Sequence, residues 1–336
     1  MICKFTTYLL LLQAFFSFLR MKNEVKVNSF RAWLLAARPK TLTGAAVPVM
    51  VALALAWHDM HTAGMQIYSN EWKWLPALLC LLFAFIMQID ANFVNDYFDF
   101  KRGNDDENRL GPMRACAMGW VTPKAMKRAL VLTTSLGCLV GLPLVWYGGW
   151  SMVVVGILCV LFCFLYTTRL SYVGMGDVLV LVFFGLVPVC CTYFLQTGLI
   201  TLTVFLASLG CGVAIDTLLL VNNYRDIDGD RQAGKQTLVV LVGKAWGLRL
   251  YLGCGLLAAL LACSVLVMQA GQADGISVRT VLWLLPMAIY LFVHLKTYLR
   301  MKRIDHGREL NAVLGETARN IFLYGLLFSL CILLST

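Results

Sequence analysis

Two short windows of this chain hold residues that do chemistry. Of 18 Asp and Glu in all, nine fall in them: Asp90, Asp96, Asp99, Asp105, Asp106 and Glu107 in the first, Asp226, Asp228 and Asp230 in the second. The windows repeat one another. Val94-Asn95-Asp96-Tyr97-Phe98-Asp99 matches Val221-Asn222-Asn223-Tyr224-Arg225-Asp226 in its polar positions. In each copy Asn and Asp stand four apart, which puts both side chains on one face of a helix, and Asp230 extends the second stripe by another turn. Brought together, the copies surround a cavity with Asn95, Asp96, Asp99, Asn222, Asp226 and Asp230. Carboxylates crowded at a low-dielectric wall repel one another unless cations neutralise them or some protonate. Mg2+ prefers one or two carboxylates, amide or water oxygens, and the oxygens of a phosphate. A diphosphate bridging acid-held Mg2+ is therefore the natural occupant. Asp96, Asp99, Asp226 and Asp230 are the expected metal ligands, and Asp105 is a further candidate. Basic neighbours, among them Arg114, Arg225, Arg231 and Lys235, would grip the remaining anionic oxygens.

The elements that must position these residues are membrane spans. The 336 residues are 60% hydrophobic and only 14% charged, against about 45 to 50% apolar and about 25% charged in soluble domains. An ordinary globular enzyme and a disordered chain are both excluded. The runs 129–168 and 178–215 carry no charge and are each too long for one span, so each folds back as a hairpin, turning near Gly148-Gly149 and Gln196-Thr197-Gly198. The same length rule predicts nine spans, near 42–57, 74–98, 126–146, 150–168, 177–195, 200–223, 247–269, 280–299 and 319–335. The motif copies end spans 2 and 6, so the expected fold is all-α: two repeated four-helix units plus a ninth helix.

The net charge of +10 comes from 28 Lys and Arg against the 18 acids. Basic residues gather in alternate loops, which marks those loops as cytoplasmic and speaks for orientation rather than nucleic-acid contact. Both acidic windows then face the cytoplasm. Twelve Cys lie mostly within apolar runs with no CxxC pair, so they read as packing residues. Residues 1–27 are expected to be a tail, with Met21 resembling an ordinary translation start, and 28–336 a membrane-embedded domain. Repeated halves and mid-chain acids also suit a cation-coupled transporter, whose acids would cluster near the bilayer midplane.

With these motifs the chain resembles the UbiA superfamily of intramembrane aromatic prenyltransferases, in which NDxxDxxxD and DxxxD motifs hold Mg2+ and diphosphate. The first motif stands as Asn95-Asp96-Tyr97-Phe98-Asp99 and the second as Asp226-Ile227-Asp228-Gly229-Asp230. Position 103, where a further Asp is expected, is Gly103, with acids returning at Asp105 and Asp106. That form is similar to the menaquinone branch, as are Arg38-Pro39-Lys40-Thr41-Leu42, Tyr172-Val173-Gly174-Met175-Gly176-Asp177 and Gly234-Lys235-Gln236-Thr237-Leu238. The resemblance implies transfer of a polyprenyl group from its diphosphate to 1,4-dihydroxy-2-naphthoate, in a bacterial cytoplasmic membrane, with loss of diphosphate and CO2. Related branches use 4-hydroxybenzoate, homogentisate or haem as acceptor. An allylic cation needs a dry aromatic pocket, which Tyr97, Tyr166, Tyr172 and Tyr224 are placed to line. Arg38 and Lys40 either receive the acceptor's carboxylate or anchor the chain at the membrane surface.

Overall fold

The computed structural model describes residues 25–61, 71–103, 109–273 and 278–335, and they form helices with no strand among them. In chain order these are α1 (Phe30–Ala37), α2 (Leu42–His61), α3 (Trp74–Arg102), α4 (Pro123–Gly148), α5 (Ser151–Thr168), α6 (Gly176–Thr197), α7 (Leu202–Arg225), α8 (Ile227–Gln232), α9 (Leu238–Val242), α10 (Lys244–Ala273), α11 (Val278–Ile304) and α12 (Leu310–Leu334). Residues 1–24, most of the expected tail, and Asp105 lie outside the described residues. Val25 already packs on the bundle, and the Asn28 amide donates to the Trp120 carbonyl at 2.8 Å.

Local chemistry sets the helix ends. Ser29, Thr122 and Thr201 cap α1, α4 and α7 by accepting from the backbone amides of Ala32, Ala125 and Val204. Gly103 and Gly198 end α3 and α6 in the left-handed region, at φ 73° and 81°. Gly103 thus stands where the motif led us to expect an acid because the helix stops there. A stripe extended along α3 has no further turn to occupy.

Among the described residues, eight helical stretches are long and apolar enough to cross a bilayer: α1 with α2, then α3 to α7, α10 and α12. The expected span 280–299 falls on α11, whose side chains over 278–283 lie outside the described residues, so it is not counted among the eight. It still packs against both α10 and α12. The last span begins at Leu310 rather than near 319, because Asn311, Glu316 and Arg319 face a polar cavity and hide the helix from a hydropathy count. The second motif is also divided. Asp226 leaves helical geometry between α7 and α8, yet the Asp230 amide still donates to the Asp226 carbonyl at 2.8 Å and keeps the turn.

α7 is the centre of the bundle. Its apolar window is 72% buried against 11% for α5, and it packs on α2, α6, α10 and α12. α12 packs on α2 and so closes the ring. Trp146 and Trp150, almost fully exposed, flank the α4–α5 turn at the end away from the acidic motifs, as aromatic side chains do at a membrane interface. A π-helical stretch, Leu181–Leu186, brings α6 against α7. A Cβ on Gly185 would stand 2.5 Å from the Ser208 carbonyl oxygen and 2.9 Å from the Gly212 Cα, so only glycine allows this approach. We expect Gly185→Val to cost about 1–3 kcal/mol and to lower the melting temperature in detergent. Gly156→Ala, which meets open space, should melt like the parent, and equal melting of both variants would contradict the close packing.

Candidate active site

The C-terminal ends of α3, α5 and α7 and the N-terminal ends of α2, α6 and α12 meet at one end of the bundle around a cavity of about 1850 Å³. Asn95 and Asp99 from the first motif and Asn222, Asp226 and Asp230 from the second all line it. The expectation that the two copies share one cavity is met at these five positions.

Asp96 is the exception. It is fully buried, and its two carboxylate oxygens accept from the backbone amides of Ala115 and Cys116, each at 2.8 Å. Helix geometry gives the reason. Asn95 and Asp99 share a face, whereas a residue one position on is turned about 100° away. Asp96 therefore pins the 109–121 segment instead of facing the cavity with Asp99. That segment delivers Arg114, whose guanidinium meets Asp99 at 2.6 Å and also donates to the Asn95 carbonyl.

Each of the motif acids Asp99, Asp226 and Asp230 has a cation beside it. Arg225 grips Asp226 with two bonds, Nε to Oδ1 at 2.8 Å and Nη2 to Oδ2 at 2.6 Å, and its third arm donates to Asn311 Oδ1 at 2.8 Å. Asn311 in turn donates to the Leu110 carbonyl at 2.7 Å, which ties α12 to the loop after α3. Gly111 lies so close that a Cβ there would stand 2.8 Å from the Arg225 guanidinium. Lys235 reaches Asp230 at 3.6 Å. Burial pushes the Asp230 carboxyl up to about 6; Lys235 pulls it back, and Asp226 pushes it further up. The residues expected to grip phosphate thus first neutralise the acids, with distances that leave them at the cavity wall.

The remaining expectations divide. Arg38 and Lys40 line the cavity, with Arg38 in the left-handed region at φ 51° between α1 and the turn Pro39–Thr41. Asn92 of α3 holds that turn by donating to the Ala37 carbonyl and the Thr41 hydroxyl, each at 3.0 Å. Tyr166 lines the cavity beside Thr167, whose hydroxyl donates to Asn95 Oδ1 at 2.5 Å and orients that amide. Tyr172 does not line it. Its ring lies beneath Arg102 and Lys235, 4.9 and 5.4 Å from its centre, and steadies the lysine. Arg231 points to solvent with a distant partner, Asp228 at 3.8 Å, so it is no part of the cavity. Thr167, Asn311 and Asp177 are cavity residues that the motif reading left unassigned. Asp177 was visible as an acid at the mouth of a charge-free run, whereas nothing in its surroundings marks Asn311.

Among the described residues no three Asp, Glu, His or Cys converge into a ready metal cage. The donors are nevertheless hard oxygens, spread over facing walls of one cavity: two amides and three carboxylates. That suits a cation that keeps several water or phosphate ligands and takes only one or two carboxylates from protein.

Residues 43–333 match the UbiA prenyltransferase family, and the chain belongs to that family. It is 34% identical to the 1,4-dihydroxy-2-naphthoate octaprenyltransferase of Escherichia coli, over 93% of this chain and 98% of that one. It is 32% identical to the Haemophilus influenzae protein of the same name, over 94% of this chain and all of that one. Its fold resembles that of a UbiA homolog from Archaeoglobus fulgidus bound to GPP and Mg2+. The TM-score is 0.57 at 13% identity, covering 90% of this chain and 99% of that one.

The role of Asp96 as a pin is open to test. Asparagine in its place presents an N–H to a backbone N–H, a loss of about 1–3 kcal/mol for a buried unsatisfied donor. Limited proteolysis of Asp96→Asn should cut within 109–121 faster than in the parent; an unchanged cutting rate would contradict the pin.

Proposed function

We propose that this protein transfers a polyprenyl group from polyprenyl diphosphate to 1,4-dihydroxy-2-naphthoate, releasing diphosphate and CO2 and giving demethylmenaquinone in its reduced form. What carries the reading is the convergence of Asn95, Asp99, Asn222, Asp226 and Asp230 on one cavity at the end of the bundle. The names of the relatives support the acceptor, and the likeness to a fold bound to GPP and Mg2+ supports the donor. A transporter reading is weaker, because these acids stand at the ends of α3 and α7 and around one mouth.

The same five residues would hold Mg2+, which when bound offsets the charge that develops on the leaving diphosphate. The chain's own residues do the rest. Arg109, Arg114 and Lys235 line the cavity and present cationic donors to anionic oxygens. Each arginine or lysine that now holds an acid can share its donors with a phosphate while a cation takes over the acid, so the cavity stays near neutral as the substrate enters. Tyr166, Trp120, Leu218, Leu219 and Phe322 give the same cavity an aromatic and apolar wall, which keeps water from an allylic cation. Arg38 and Lys40, on the facing wall, are suited to the acceptor's carboxylate.

The clustering of basic residues at this end orients the cavity toward the cytoplasm, and the relatives point to a bacterial inner membrane. The functional domain in this reading runs from 28 to 336.

Membranes containing the protein, given one labelled polyprenyl diphosphate and Mg2+, should prenylate dihydroxynaphthoate in preference to 4-hydroxybenzoate, homogentisate or haem offered beside it. Removing charge stabilisation at the leaving group costs on the order of 100-fold or more in rate, so Asp226→Ala and Asp99→Ala should each lose at least that. A preference for 4-hydroxybenzoate would overturn the acceptor, and full activity in both variants would overturn the site.

A further inference from the structure

The charge-free run 178–215 is bracketed by two carboxylates, Asp177 and Asp216. The α6–α7 hairpin turns at Gly198, so its two ends return to one level. Packing fixes the register: Leu181 lies against Gly212, and Gly176 against Leu219. Asp177 is one helical turn from Leu181 and Asp216 one turn from Gly212, in the direction of the cavity. Antiparallel packing therefore sets the two carboxyl groups opposite each other, and they interact electrostatically. The π-helical stretch of α6 begins one turn below Asp177, the kind of irregular turn that recurs where a helix serves a site.

Asp177 lines the cavity, and Asp216 stands behind it, 6% exposed. Each keeps a buried oxygen, Oδ1, with no hydrogen-bond partner. The contrast with the other acids is sharp. Asp99, Asp226 and Asp230 each have a cation, and Asp90, also buried within a span, has both oxygens occupied by the hydroxyls of Thr133 and Thr134. A buried carboxyl oxygen left open is costly and points to a ligand or a reaction that completes it. Two facing carboxyls in a low-dielectric wall can hold one proton between them, since both cannot ionise without repelling.

We propose that the Asp177–Asp216 pair takes the proton of the aromatic acceptor's ring hydroxyl and gives it back later in the same turnover. Asp177 faces the acceptor; Asp216 holds the proton with it and is a positioning residue. The proposal rests on the acceptor reading above. Once the hydroxyl beside the carboxylate-bearing carbon is deprotonated, that carbon forms the new C–C bond. The allylic C–O bond breaks, and its electron pair leaves with diphosphate. The C–CO2 bond then breaks, its electron pair restores the aromatic ring, and the oxygen recovers the proton. Naphthoate and prenyl diphosphate give hydroquinone, CO2 and diphosphate with no net proton released or consumed. A group that stores one proton and returns it is sufficient, and no histidine lines the cavity to do so.

The test compares Asp177→Asn, Asp216→Asn and Asp216→Glu, purified in detergent, on dihydroxynaphthoate and on a ring-halogenated dihydroxynaphthoate whose hydroxyl ionises more readily. General acid–base assistance contributes about 100- to 10,000-fold, so each Asn variant should lose about 100-fold or more in kcat with KM for prenyl diphosphate within about twofold. The more acidic acceptor should recover at least about tenfold of that loss, and Asp216→Glu should outperform Asp216→Asn. Parental kcat in both Asn variants would overturn the proposal, as would an equal loss on both acceptors or a loss that follows prenyl diphosphate binding. If the parent itself ignores both naphthoates, the acceptor reading has failed instead, and the same variants are compared on the phenolic acceptor the parent does use.

Discussion

Asp99, Asp226 and Asp230 sit at the wall of a low-dielectric bundle, where like charges cannot be left to repel one another, and much of the cavity's architecture follows from how they are matched. Arg225 holds Asp226 through two bonds and reaches Asn311, and Asn311 reaches Leu110. One ion pair thereby joins α7, α12 and the loop after α3. Arg114 joins that loop to α3 through Asp99, while Asp96, one position off the cavity face, fastens the loop from behind. The acids that define the site also hold its roof in place. Removing one partner of such a buried pair leaves the other uncompensated, so the fold and the site are coupled at these residues.

Matched acids also explain how a cavity rich in carboxylates exists before any substrate enters. Cations supplied by the protein keep it near neutral, and an arriving diphosphate with its metal ions brings both signs of charge at once. Exchange of partners then costs less than bringing a bare anion or a bare cation into the same space. Burial raises the Asp230 carboxyl to about 6, so a cation arriving beside it also secures its charge.

Much of this was legible in the residues. The four-residue spacing of Asn95 with Asp99 and of Asn222 with Asp226 is a helix-face statement, and both faces meet at the cavity. Charge-free runs gave the two hairpins with their turns. The failures have equally local causes. Asp96 was grouped with its motif neighbours although its spacing already turned it off the face. Arg231 and Tyr172 touch cavity residues without lining the cavity themselves, which proximity along a loop cannot tell. Asn311 and Thr167 act through contacts across more than seventy residues of chain and carry no local mark. Span 9 was placed too late because its first turns serve the cavity and not the lipid.

The central claim is that acids from both halves of the repeat form one Mg2+-dependent diphosphate site. Calorimetric titration of the purified protein with a non-reactive polyprenyl thiodiphosphate, with and without Mg2+, tests it directly. Binding should require Mg2+ and weaken by about tenfold or more, some 1.4 kcal/mol, on Asp99→Asn in the first copy and likewise on Asp230→Asn in the second. Binding that ignores Mg2+, or that responds to one copy alone, would contradict the shared site.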